Sequence, residues 1–86
     1  MVMKLTTIAS ALSDATRIRL LLLLEERTLS VGELAAALDV VPSVVCHHLK
    51  PLLEAGLVRT VRRGRRTLVR RQHARWRQVL GAFEAP

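Results

Sequence analysis

The chain of 86 residues has one cysteine, Cys46, so no internal disulfide can form. It has one tryptophan, one phenylalanine and no tyrosine. That shortage argues against base-stacking recognition of single strands or RNA, which depends on aromatic platforms. Acids are scarce too, at seven against fourteen lysines and arginines. No nucleophile–base pair, carboxylate pair or glycine-rich phosphate loop is visible, so an enzyme is not expected. The leucine run Leu20–Leu24 is far too short to span a bilayer and lies between Arg19 and Glu25. The opening MVMKLTTIAS has no secretory cleavage pattern, so no membrane partner is expected and the cytoplasm is the expected location. Repeats, linkers and low-complexity tracts are absent as well.

What the chain does have is apolar residues and unevenly placed positive charge. Half of its residues are hydrophobic, which marks a globular chain, and its length fits one small domain, 1–86, near the lower limit for folding alone. The net charge is +7. Met1 to Gly56 carry five basic and six acidic residues, a net of −1, whereas Leu57 to Pro86 carry nine arginines and one acid, a net of +8. A neutral half joined to a basic half implies a directed surface whose usual partner is a polyphosphate or, less often, an anionic membrane.

Apolar spacing divides the chain into helices and one hairpin. Leu5, Ile8, Ala9 and Leu12 form one face of a short first helix, which must pack on something to be stable. Ser13 or Asp14 caps a second helix over Ala15 to Glu26, with Ile18, Leu21, Leu22 and Leu24 as a wide core surface. Ser30, with Glu33 three residues on, is a capping box opening a third helix that turns Leu34, Ala35 and Leu38 inward. After the short link Asp39-Val40-Val41, Pro42 suits the first turn of a fourth helix, 42–55. Its core side is Val45, His48, Leu49, Leu52 and Leu53, and its polar stripe is Ser43, His47, Lys50 and Glu54. Pro51 forfeits a bond to the carbonyl of His47 and is expected to kink or loosen the last turn. Gly56 supplies a left-handed stop. LVRTVRR and RRTLVRRQ then read as a two-stranded hairpin, 57–72, around Gly64. Trp76, Val79, Leu80 and Phe83 give a last helix, His73 to Glu84, one narrow apolar stripe. It either folds back on its own domain or pairs with a second subunit.

Third and fourth helices joined by so short a link have the helix-turn-helix outline. The segments LSDATRIRLLLLL, SVGELAAAL and HHLKPLLEAGLV with the arginine-rich hairpin together resemble the ArsR/SmtB-type winged-helix repressors. The resemblance covers Leu12 to about Gln72, and HHLK followed by LLEAGLV is its most specific part. It implies a mainly helical α+β winged helix-turn-helix of four helices, a two-stranded wing and a C-terminal helix. It also implies a homodimeric DNA-binding repressor whose inducer lowers operator affinity, with Leu5, Ile8, Leu12, Trp76, Val79, Leu80 and Phe83 making the dimer. Ser43 and His47 match the family's usual groove-facing positions. Pro42 and Cys46 stand where members commonly carry glutamine and serine or threonine, which shifts affinity toward phosphate contacts.

On these residues the expected double-stranded DNA contacts are Ser43, His47 and Lys50, with Val44 against a thymine methyl. Arg62, Arg63, Arg65 and Arg66 at the hairpin tip grip phosphates or enter a narrow minor groove. His48 is expected as a buried or bridging side chain. Cys46, in the first turns of its helix near basic residues, is either a redox-sensitive thiol or a small hydrophobe. No metal or other cofactor is expected. SVGELAAAL lacks the thiols that family sensors use, and His73 stands without a second histidine near it. Successive residues Cys46, His47 and His48 point about 100° apart and cannot all reach one ion. A metal site shared across subunits stays open, as does the inducer. Two rival readings also stay open: an architectural protein that coats DNA without sequence preference, and a protein-interaction module of an antitoxin type.

Overall fold

The structure, a computed structural model, describes residues 13–25 and 27–72. The element order is α1 (Ala15–Leu23), β1 (Leu29–Ser30), α2 (Val31–Leu38), α3 (Pro42–Glu54), β2 (Val58–Arg63) and β3 (Arg66–Arg71). The expected first helix, the last helix and all seven proposed dimer residues lie outside the described residues.

Local chemistry sets the helix ends. Asp14 is the cap of α1: its carboxylate accepts from the N–H groups of Thr16 at 2.8 Å and Arg17 at 3.4 Å. At α2 the capping box is complete. Ser30 Oγ accepts from Glu33 N at 3.0 Å, and Glu33 Oε1 accepts from Ser30 N at 2.9 Å. Its far end turns on Asp39 in the left-handed region, φ 56°, which aspartate tolerates better than most side chains. Only Asp39 to Val41 then separate α2 from Pro42, so a helix-turn-helix forms as expected.

At the end of α3 the chain reverses on Gly56, φ 72°. The N–H of Gly56 donates to the Leu53 carbonyl at 3.0 Å and that of Leu57 to the Leu52 carbonyl at 2.9 Å. Both Leu52 and Leu57 are fully buried, the apolar clasp that accompanies this type of helix end. Pro51 lies inside α3, which continues one further turn to Glu54. The lost bond falls where the helix is about to end, so the helix is not broken there.

The hairpin has its two-residue loop at Gly64-Arg65, with Gly64 at φ 60°. Glycine at the first loop position suits the twist of the flanking strands. The expected two-stranded hairpin forms from β2 and β3, and β1 joins it on the β3 side in a three-stranded antiparallel sheet, order β1-β3-β2. Leu29 pairs with Val69 and Ser30 with Leu68. Two residues carry no alternation to read, and their partners lie far along the chain.

The core lies where the three helices meet the base of the sheet: Leu20, Leu24, Leu34, Val45, Leu49, Leu52, Leu57 and Val69 are all fully buried. Each buried leucine contributes about 1.5–3 kcal/mol. The inward residues of α2 are as expected, and so are Val45, Leu49 and Leu52 of α3. The expected face of α1 is corrected. Ile18 is 43% exposed and Leu22 62% exposed, while Leu20 joins Leu21 and Leu24 inside. Five consecutive leucines leave no polar gap to mark the face, so packing against α3 chose it. The helix also stops at Leu23, before Glu26. Leu53, expected inside, is 41% exposed at the edge of the α3 face.

Candidate nucleic-acid interface

Burying Val45, Leu49 and Leu52 of α3 leaves the opposite side of the helix to solvent. Ser43, His47, Lys50 and Glu54 are all exposed there, and Val44 is half-buried on the flank. Cys46 is exposed rather than packed as a small hydrophobe. His48 turns away from this stripe toward α1. Its Nδ1 is buried, makes no hydrogen bond among the described residues, and stands 3.8 Å from Asp14 Oδ1 at the cap of α1. The rings of His47 and His48 meet edge to face with centroids 5.5 Å apart. Partial desolvation pushes the Asp14 carboxyl up. The Thr16 and Arg17 N–H bonds, with His48 and the Arg17 charge, outweigh it and hold the carboxyl below the usual carboxylate range.

The four tip arginines divide into two pairs. Arg62 folds across the turn, its Nε donating to the Gly64 carbonyl at 3.2 Å and its Nη1 to Thr67 Oγ1 at 3.1 Å. Arg66 reaches out of the hairpin, its Nη2 lying 2.8 Å from Glu33 Oε1. Arg63 and Arg65 are exposed, with no hydrogen bond or ion pair holding them among the described residues. Glu33 was legible only as a capping residue, since nothing local announces a partner 33 residues away. Hydrogen bonds from the Ser30 N–H and hydroxyl, then the Arg66 and Arg27 charges, hold its carboxyl below the usual range.

An open cleft of about 440 Å³ joins the start of α2, the start of α3 and the wing tip. It is lined by Val31, Gly32, Pro42, Cys46, Arg65 and Arg66 among others. The flank of α3 at Pro42 and Cys46 and the hairpin tip at Arg65 and Arg66 therefore line one cleft. A helix with an exposed polar stripe beside a cationic hairpin can enter a groove and hold the flanking phosphates. Among the described residues no group of three or more histidine, cysteine, aspartate or glutamate side chains is placed to hold a metal ion. No described helix is long and apolar enough to cross a membrane.

The sequence model of a family described as bacterial regulatory protein, arsR family, matches residues 14–60. Among solved structures, an ArsR-like transcriptional regulator from Rhodococcus sp. RHA1 superposes with a TM-score of 0.83 at 32% identity. The match covers 93% of this chain and 73% of that one. A possible transcriptional regulator for arsenical resistance gives a TM-score of 0.80 at 32% identity, over 88% of this chain and 79% of the other. A homodimeric winged helix-turn-helix DNA-binding domain from Mycobacterium bovis shares the fold, with a TM-score of 0.78 at 24% identity over 91% and 73%. No curated protein sequence shows significant similarity.

Proposed function

Because the chain belongs to the ArsR family of bacterial regulatory proteins, whose members are DNA-binding transcriptional regulators, we propose that it is a homodimeric, sequence-specific repressor acting in the cytoplasm. In this reading α3 enters the major groove, where Ser43, His47 and Lys50 meet base edges and Val44 meets a thymine methyl. Arg62, Arg63, Arg65 and Arg66 lie along the flanking backbone. Two copies would set their recognition helices about one helical turn apart. The M. bovis domain, described as homodimeric, supports the pairing. The dimer contacts proposed for this chain are Leu5, Ile8, Leu12, Trp76, Val79, Leu80 and Phe83.

The observation that carries this reading is the opposition of faces on α3. One side is committed to the core, the other presents an exposed polar stripe, and the flank at Pro42 and Cys46 shares a cleft with Arg65 and Arg66. Binding should therefore weaken steeply with salt, with a log–log slope on the order of −5 or beyond when about six or more phosphates are neutralised. Replacing His47 should relax sequence preference, while replacing Arg65 should weaken all duplexes alike. A nearly flat salt dependence in a duplex titration would rule the reading out. Equal affinity for operator and random duplex would favour the architectural alternative, to which Pro42 and Cys46 on the reading face lend some weight. A monomer in sedimentation analysis would favour the protein-interaction module.

A further inference from the structure

The hairpin from Leu57 to Gln72 contains seven arginines and no acid, and the fold brings the Glu33 carboxylate to its tip. Glu33 Oε1 accepts simultaneously from Ser30 N at 2.9 Å and from Arg66 Nη2 at 2.8 Å. Exposed ion pairs are usually weak because two long side chains must be held in one geometry. Here that cost is reduced, since the capping box already holds the glutamate. Its carboxyl also stays ionised below the usual range. Arg66 is the register partner of Arg63 across the tip, so the contact is made by an arginine that the DNA-binding reading assigns to phosphate.

We propose that Glu33 limits the chain's affinity for DNA by occupying Arg66, competing inside the protein with a backbone phosphate for the same guanidinium. The inference rests on the DNA-binding reading and adds an affinity-setting residue to it. Glu33 touches no base. It acts through Arg66, and this separates it from an acid that merely repels DNA at a distance. A phosphate must displace or share the carboxylate, so Arg66 adds less to counterion release than an arginine with no intramolecular partner.

The test measures binding of a labelled random-sequence duplex to the full chain across a salt series. E33Q is the variant of choice, because glutamine at this position keeps the capping box. E33Q is expected to bind about two- to five-fold more tightly, with the salt slope steeper by about one. In an Arg66→Ala background the same change is expected to alter affinity very little. Equal tightening in both backgrounds assigns the effect to distant repulsion and overturns the proposal, and so does unchanged or weaker binding by E33Q. Arg66→Ala provides an independent arm should E33Q lower the melting temperature. It is expected to weaken binding less than Arg65→Ala, and equal losses overturn the proposal. A wild-type chain that binds no duplex removes the DNA-binding reading and this one together. Steep salt-dependent binding by the wild type, with no coupling between Glu33 and Arg66, removes only this one.

Discussion

Cys46 has a place in the fold that its neighbours in sequence do not reveal. It is exposed on the flank of α3 and lines the cleft together with Arg65 and Arg66. A thiol there is accessible to oxidants and close to the surface proposed to meet DNA. Oxidation would add polarity and bulk between helix and wing. The redox reading of Cys46 therefore makes a distinct claim: peroxide should weaken duplex binding of the native chain and leave Cys46→Ser unaffected. Equal weakening in the two removes that reading. The neighbouring His48 shows the reverse relation between text and structure. It is expected to be buried or bridging, and the helical rotation brings its Nδ1 to 3.8 Å from Asp14, the cap of α1.

At the scale of elements, α3 and its exit are the unit on which the rest depends. The helix has no side-chain cap at Val41 and has Pro51 near its end, so its stability comes from the buried face and the turn after it. In that turn Gly56 occupies a backbone region that a side chain disfavours, while Leu57 folds back to the Leu52 carbonyl. Gly56→Ala should destabilise the fold by about 1–2 kcal/mol, read as a lower denaturation midpoint with an unchanged slope. An unaltered midpoint would mean that the helix end relaxes into another turn. Elements defined by local chemistry were legible in the sequence: the capping box of α2, Pro42 at the first turn of α3, Gly56 after it, and the hairpin about Gly64. The strand β1 was not, because two residues become a strand only when Val69 and Leu68 arrive beside them. The inward face of α1 was not legible either, since any of the leucines from Leu20 to Leu24 satisfies a helical pattern.

For the whole molecule, acid should act through the helix caps. Asp14 and Glu33 both have carboxyls held below their ordinary range in the folded chain. Their contribution is therefore fully present above the unfolded values and is lost as pH falls through the folded ones. Thermal stability should decline once pH drops below the ordinary carboxylate range, and Asp14→Asn should flatten part of that decline. A melting temperature unchanged through this window would show that the two caps contribute nothing measurable. His48 and Arg17 face Asp14, while Arg66 and Arg27 face Glu33, so protonating either carboxylate removes its attraction to those neighbours.

The sequence by itself determined the helix-turn-helix, the hairpin, the charge division between halves and the polar stripe Ser43, His47 and Lys50. All of these follow from spacings of a few residues, over which backbone geometry dictates who faces whom. Only the tertiary structure decided which leucines of α1 are core, that a third strand joins the wing, that His48 reaches Asp14 and that Glu33 takes hold of Arg66. Each of these is a contact between segments distant along the chain. Their meeting depends on how the elements pack, which no local periodicity encodes.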